Sequence, residues 1–241
     1  MEKTQQPSLL VVSAHAADFV WRAGGAVALY SERGYRVKVV CLSYGERGES
    51  AKMWKQPDMT LSKVKDARRE EAARAADILG AEIAFLDIGD YPMRVSDEVL
   101  YQLVDIYREL RPEFVLSHSL HDPYNFDHPL ATHVAQEARI IAQAHGHNPE
   151  QPVIGAPPVL LYEPHQPEQC GWKPDVLLDI SSVWEKKKAA FETMNAQEHL
   201  WEYYTRVALQ RGVQASRNSS RSIKYGEGYQ RVFPQVCGEF S

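Results

Sequence analysis

Four short apolar runs alternate with helix-forming segments along the first two thirds of this chain. The runs span residues 9–13, 37–43, 83–87 and 114–117, and the intervening segments span residues 22–33, 61–79 and 97–110. The segment 61–79 carries its apolar residues at helical spacing and ends before Gly80, a residue type that favours a helix C-terminus. Strands that alternate with helices predict an α/β fold with a mostly parallel sheet and right-handed crossovers.

A second region begins near Gly146, where residues 148–152 are rich in turn-forming residues. It contains strand candidates at residues 159–162 and 175–180, and helix candidates at residues 183–194 and 199–211. We therefore expect one domain over residues 1–241, with a core at about 7–146 and a C-terminal elaboration at about 147–241. A separate second domain is the alternative interpretation.

The composition excludes several classes of protein. A net charge of -5 argues against a nucleic-acid surface, and no apolar stretch approaches the roughly 20 residues that span a bilayer. The polar N-terminus does not resemble a signal peptide. Three widely spaced cysteines without a Cys-x-x-Cys pair are typical of reduced thiols, so we expect a cytoplasmic protein with neither a membrane nor a nucleic-acid partner.

Polar loops follow the predicted strands at residues 15–18, 44–49, 89–94 and 118–128. The carboxyl ends of parallel strands meet at one edge of a sheet, where α/β folds place their ligand crevice. His15 and Asp18 lie in the first of these loops, and an imidazole with a carboxylate is a common part of a zinc site.

The loop 118–128 is the densest polar cluster in the chain. Its candidate ligands and their neighbours are His118, His121, Asp122, Asn125, Asp127, His128 and His133. A polar loop without function is the alternative, but the His15 and Asp18 pair on a neighbouring strand favours a metal site. Catalytic zinc usually takes three protein ligands, and His15, Asp18 and His128 would complete that set. His133 lies about 140° around a helix from His128 and should point elsewhere.

These motifs resemble a known family. A strand that ends in Ala-His-x-x-Asp, with a later Asp-His that opens a helix, is similar to the PIG-L (LmbE-like) zinc enzymes, which are mostly N-acetylglucosaminide deacetylases. The resemblance covers nearly the whole chain and includes residues 45–49, 68–72 and 225–228. It implies a Rossmann-like three-layer fold and places Zn²⁺, or another divalent metal, on His15, Asp18 and His128.

One position departs from the deacetylase pattern. Deacetylases of this family carry Ala-His-Pro-Asp-Asp, and the first Asp is the general base, whereas this chain has Ala16 and Ala17. Alanine cannot accept a proton, and loss of a positioned base costs about 10²–10⁴-fold in rate. The alternatives are an amidohydrolase whose base has moved to Glu49 or Asp127, a metal-binding relative without activity, and an enzyme with a different reaction.

The segments at residues 14–25, 45–50, 163–170 and 201–206 resemble one branch of the family more closely. Members of that branch add water to 4-oxalomesaconate in bacterial gallate and protocatechuate degradation, giving 4-carboxy-4-hydroxy-2-oxoadipate. The resemblance therefore implies a metal-dependent hydratase, a hydro-lyase that acts on an oxo-tricarboxylate.

Such a hydration needs a base for water and an acid for the neighbouring carbon. Glu49 follows the second strand, and His165 lies between two prolines after another strand, so we expect these two as catalytic residues. Which of them is the acid stays open. The alternative interpretations are a salt-bridge carboxylate for Glu49 and a surface histidine for His165.

A tricarboxylate also needs cationic partners, and arginine matches a carboxylate bidentately. Arg47 and Arg94 fall on the predicted crevice side. Arg22 and Arg211 are secondary candidates for the same role, since either could equally be solvated helix surface. Tyr124 and Asn125 precede His128 and could bind the substrate or orient the metal ligands. Three aromatic residues, Trp201, Tyr203 and Tyr204, suggest packing or a subunit contact, and we expect a homo-oligomer.

Overall fold

A seven-stranded sheet forms the middle layer of the protein, whose computed structural model describes residues 6–238. The strands are β1 Ser8–Ser13, β2 Arg36–Cys41, β3 Glu82–Phe85, β4 Phe114–Ser117, β5 Val159–Tyr162, β6 Val176–Asp179 and β7 Gly226–Arg231. Their spatial order is β3-β2-β1-β4-β5-β7-β6. The first five in that order are parallel, and β7 is antiparallel to both β5 and β6. The predicted α/β fold with a mostly parallel sheet is confirmed.

Helices cover both faces of the sheet. They are α1 Asp18–Glu32, α2 Ala51–Trp54, α3 Leu61–Leu79, α4 Asp97–Leu110, α5 Asp127–Ala142, α6 Trp184–Phe191 and α7 Trp201–Arg217, with short 3₁₀ helices at Ser181–Val183 and Asn195–Leu200. Leu9 and Val11 of β1 pack with α1, α3, α6 and α7, whereas Leu10 and Val12 pack with α4 and α5. The central strand is therefore buried on both sides, as parallel sheets require. No helix within residues 6–238 is long and apolar enough to span a bilayer.

The helix boundaries follow local capping chemistry where the sequence provides it. The Thr60 hydroxyl accepts a hydrogen bond from the Lys63 backbone N–H at the start of α3, and Gly80 ends that helix with a left-handed φ of 78°. The predicted start of α1 at residue 22 is wrong, because the Ala17 carbonyl already accepts hydrogen bonds from Val20 and Trp21. The helix therefore begins at Asp18 and carries it on its first turn.

The region after residue 146 extends the same sheet, since β5 pairs with β4 and β7 pairs with β5. Sequence patterns did not predict β7. Its Glu227 carboxylate is buried and accepts hydrogen bonds from the backbone N–H groups of Gly25 and Ala26 and from the Lys187 ammonium group. This contact joins the last strand to the middle of α1.

Candidate active site

Four titratable side chains meet at the carboxyl edge of the sheet. His15 follows β1, Asp18 opens α1, Glu49 lies in the loop after β2, and His128 is the second residue of α5. One nitrogen or oxygen atom from each lies within 4.8 Å of those from the others. The structure thus brings together the three predicted metal ligands and one of the two predicted acid–base residues, and we call these four residues the His/carboxylate cluster.

Distances inside the His/carboxylate cluster match the needs of a small cation. Two ligand atoms at about 2.1 Å from one tetrahedral ion lie about 3.4 Å apart. The Nδ1 atom of His15 lies 3.1 Å from Oδ2 of Asp18 and 3.3 Å from Oε1 of Glu49. The Nε2 atom of His128 lies 3.5 Å from Oδ1 of Asp18. These spacings fit a divalent metal held between two imidazoles and a carboxylate.

Each histidine of the cluster also has a carboxylate on its other ring nitrogen. Asp127 Oδ2 lies 3.2 Å from His15 Nε2, and Asp122 Oδ2 lies 2.8 Å from His128 Nδ1. Burial would raise the pKa of both aspartates, but their histidine partners outweigh it and lower each pKa below its ordinary value. Both aspartates are therefore carboxylates that accept hydrogen bonds. Metal-ligating histidines usually have such partners, which fix the tautomer and orient the ring.

Two atoms of the cluster lack any hydrogen-bond partner within the described part of the chain. They are His128 Nε2 and Glu49 Oε2, and both are buried. Buried polar atoms are normally satisfied, so these two indicate a ligand. The pKa of His15 points the same way: burial lowers it, but the charge of Glu49 and contacts with Asp127 and Asp18 raise it well above the ordinary value. The cluster therefore favours positive charge at its centre.

The loop that carries Glu49 is held by Asp90, which the sequence interpretation missed. Asp90 is fully buried, and its carboxylate accepts hydrogen bonds from the backbone N–H groups of Arg47 at 2.9 Å and Gly48 at 2.7 Å. Gly45 turns the same loop with a φ of 68°. The only sequence signal for Asp90 is its place in a polar loop after the third strand.

A cleft opens beside the His/carboxylate cluster, with an empty volume of about 600 Å³ that includes the solvent at its mouth. This size is ordinary for a small-molecule site. Asp18, Glu49 and His128 lie on its wall together with the predicted residues His165, Tyr124 and Asn125. We call this space the active-site cleft.

His165 faces the cleft from the loop after β5. Its Nδ1 atom lies 3.4 Å from the Tyr204 hydroxyl, and its backbone carbonyl accepts a hydrogen bond from the Tyr203 hydroxyl. Burial and the nearby charge of Arg22 lower the pKa of His165 below its ordinary value. His165 is thus a partly buried histidine on the cleft wall, and Tyr203 and Tyr204 orient it.

The arginines are placed differently from the sequence expectation. Arg94 does not reach the cleft: it lies in a separate depression beside α4 and α5, and its guanidinium donates to the Met93 carbonyl. Arg47 is half exposed and donates to the backbone carbonyl of Asp90. Arg22, in contrast, is buried and lines the cleft, so its interpretation as solvated helix surface is wrong.

Several other candidates have clear positions. Arg211 is also not solvated surface, since it forms a bidentate pair with Glu163. His118 is fully buried, and its Nε2 accepts a hydrogen bond from the Ala14 backbone N–H while its ring stacks on His128. His133 is exposed on α5. Ala17 is buried in the apolar core and offers no side-chain group that could accept a proton.

Comparison with known proteins finds a matching family profile and two relatives of known activity. A family profile described as GlcNAc-PI de-N-acetylase (PIG-L) matches residues 10–139. The chain is 68% identical to the 4-oxalmesaconate hydratase of Pseudomonas putida over 237 residues, which cover 97% of this chain and 92% of that protein. It is 28% identical to the diacetylchitobiose deacetylase of Thermococcus kodakarensis over 95% of this chain and 85% of that protein.

A solved structure agrees with these relatives. The crystal structure of GalB, the 4-carboxy-2-hydroxymuconate hydratase from Pseudomonas putida, matches with a TM-score of 0.95 and 65% sequence identity. The match covers 98% of this chain and all of that one.

Proposed function

The chain belongs to the PIG-L family of GlcNAc-PI de-N-acetylases, and we propose that within this family it is a hydratase of 4-oxalomesaconate. In the tautomer of this substrate whose carbon–carbon double bond is conjugated to the ketone, water would add to that bond, giving 4-carboxy-4-hydroxy-2-oxoadipate. The observation that carries this proposal is the 68% identity to a 4-oxalmesaconate hydratase over 97% of the chain. Ala17, where deacetylases of the family carry their base, supports a reaction other than deacetylation.

His15, Asp18 and His128 would hold a divalent metal. Two imidazoles and a carboxylate suit zinc, and the unpartnered Nε2 atom of His128 supports a ligand at this point. When bound, the metal would supply Lewis acidity that stabilises negative charge on the enolate oxygen.

Glu49 is placed to act as the general base. Its Oε1 atom lies 3.3 Å from His15, and its Oε2 atom is buried without a partner, so this carboxylate borders the centre of the cluster. Glu49 would accept a proton from the attacking water, whose oxygen bonds to the carbon that carries the hydroxyl in the product. The electron pair of the double bond moves toward the ketone and leaves an enolate.

The imidazolium form of His165, which the lowered pKa of this residue makes a stronger acid, would then supply the second proton. It faces the same cleft from the loop after β5, on an element separate from the cluster, and Tyr204 fixes its ring. As the enolate returns to the ketone, the carbon next to it takes a proton from His165. Glu49 and His165 thereby add one water molecule in two proton transfers. Tyr124 and Asn125, also on the cleft wall, would hydrogen-bond the substrate.

We further propose that the reaction belongs to bacterial gallate and protocatechuate degradation in the cytoplasm. The resemblance to the hydratase branch supports the pathway. Cys41, Cys170 and Cys237 are free thiols in the structure, which fits a reducing compartment.

The test is loss of the enone absorbance of 4-oxalomesaconate on addition of purified protein, before and after treatment with a chelator. We expect turnover that the chelator abolishes and Zn²⁺ restores, with no release of acetate from N-acetyl sugars. A protein that leaves the absorbance unchanged when loaded with zinc is not this hydratase. Turnover that survives complete removal of metal would refute the metal's role.

A further inference from the structure

A buried guanidinium group stands on the wall of the active-site cleft. Arg22 lies on α1, one turn beyond Asp18, and is 8% exposed. Its Nε and Nη1 atoms are buried and have no hydrogen-bond partner among residues 6–238. The nearest carboxylate oxygen in an ion pair, Asp18 Oδ1, lies 3.8 Å from Nη2, which is too far for a hydrogen bond.

This arrangement is costly for the folded protein. A buried donor without a partner destabilises the folded state, and a charged one does so more strongly. Other buried arginines in this chain are satisfied: Arg68, for example, donates to the Tyr44 carbonyl and to the side chains of Glu71 and Gln197. Arg22 is therefore an exception that needs a physical reason, and an anionic ligand in the cleft would provide one.

The charges around the cleft give a second, independent argument. Three carboxylates line it, those of Asp18, Glu49 and Asp122. Arg22 is the one lysine or arginine side chain on this wall in the described part of the chain. A trianionic substrate would be repelled by such a wall, and a divalent ion in the His/carboxylate cluster would neutralise only part of that negative charge.

The position of Arg22 is fixed by its neighbours. The Trp21 ring stacks on Tyr204 with centroids 5.5 Å apart, and the Tyr204 hydroxyl lies 3.4 Å from His165 Nδ1. Burial lowers the pKa of Arg22, but Tyr204 and Asp18 raise it by more than burial lowers it. The pKa of Arg22 therefore lies above its ordinary value. Arg22 is permanently charged and lines the same cleft as a proposed metal ligand, Asp18, and the proposed proton donor, His165.

We propose that Arg22 binds a carboxylate group of the oxo-tricarboxylate substrate and is the main anionic-substrate anchor of the cleft. The inference rests on the proposed hydratase function and gives Arg22, a secondary candidate from the sequence, the role expected first for Arg47 and Arg94. Arginine suits it because a planar guanidinium can donate two parallel hydrogen bonds to one carboxylate.

Two variants, Arg22→Gln and Arg22→Lys, test the proposal in the zinc-loaded protein. Arg206→Gln is the matched control, because Arg206 is 70% exposed on α7. Binding of propane-1,2,3-tricarboxylate by titration calorimetry measures the anchor without turnover. We expect about 10–100-fold weaker binding and a similarly raised KM for Arg22→Gln, from the loss of charged hydrogen bonds. Arg22→Lys should fall between this variant and the wild type, and the control should match the wild type.

A purely structural role would give a different result. If Arg22 only orients Asp18, Arg22→Gln should weaken zinc affinity and lower kcat, while KM and tricarboxylate binding stay unchanged, and that outcome overturns the proposal. Should Arg22→Gln fail to fold, the Arg22→Lys variant decides by the same readouts. Wild-type protein that binds the tricarboxylate through Arg22 but hydrates no oxo-tricarboxylate would refute the hydratase and leave the anion site standing. An active wild type with unchanged KM in folded Arg22 variants would refute the anchor alone.

Discussion

Asp122 accepts a hydrogen bond from Nδ1 of His128 at 2.8 Å, and Nε2 of the same ring faces Asp18. The carboxylate therefore fixes which ring nitrogen carries the proton and leaves the other free to bind a cation. Asp127 has the equivalent relation to His15. The two histidines among the proposed metal ligands are thus each oriented by an aspartate on the ring nitrogen that does not face the cluster.

Replacement of Asp122 by Asn should weaken metal binding. The amide keeps the shape but loses the charge that makes the imidazole a stronger ligand, and loss of such a partner typically costs about 10–100-fold in metal affinity. Competition for Zn²⁺ with a chromophoric chelator measures the change. Asp105→Asn, at an exposed site on α4, is the matched control and should keep wild-type affinity. Equal affinities for the two variants would contradict the orienting role.

Asp90 should control the position of Glu49. Asp90→Asn loses one of the acceptor oxygens that hold the Arg47 and Gly48 backbone, so we expect the free energy of unfolding to fall by about 1–3 kcal/mol. A displaced Glu49 should also lower kcat, with little change in zinc affinity. Urea denaturation and steady-state kinetics measure the two effects. Asp105→Asn removes an exposed carboxylate on α4, away from this loop, and should change neither.

Most strands and helices of the fold could be predicted because they depend on local sequence patterns. Runs of apolar residues mark strands that are buried on both faces, and the Thr60 and Gly80 caps mark the ends of α3. The strand β7 escaped prediction because its glycines and buried Glu227 do not form an apolar run. It is stabilised by contacts with α1, about 200 residues away in the chain, which no local pattern contains.

The residues of the site that follow neighbouring strands could be predicted, because the strand order alone brings them together. β1 and β4 are neighbours, so the loops that carry His15 and His128 meet at their carboxyl ends. The arginines could not be predicted in this way. Arg22 is buried because α1 packs against α6 and because Trp21 stacks on Tyr204 of α7, and this burial depends on tertiary packing. Arg94 follows the third strand, but it lines a separate depression beside α4 and α5.

Glu49→Gln should lower the hydration rate strongly while the protein stays folded. The amide keeps the size of the side chain but cannot accept a proton, and loss of a general base costs about 10²–10⁴-fold in kcat. The enone absorbance assay measures this. Glu70→Gln is the matched control, since Glu70 is exposed on α3. A Glu49→Gln variant with wild-type kcat would move the base to another residue.

The positive charge of Arg22 should lower the pKa of His165 by a measurable amount. Burial and Arg22 lower the pKa of His165 below its ordinary value of 6.5, while Asp122 and Glu49 act in the opposite direction. In Arg22→Gln the positive charge is gone, so the imidazolium is less disfavoured and the pKa should rise toward 6.5. Among the other groups that affect His165, the charge of His199 also lowers its pKa.

NMR of protein labelled at histidine, with the His165 signal assigned from a His165→Gln variant, measures this pKa directly. Because the folded pKa is depressed, the unfolded chain binds the proton more tightly. His165 therefore removes stability as pH falls from about 6.5 through the lower folded value, and His165→Gln should lose that part of the acid sensitivity. A His165 pKa at or above 6.5 in the wild type, or one that Arg22→Gln leaves unchanged, would show that the guanidinium charge does not lower the pKa of His165.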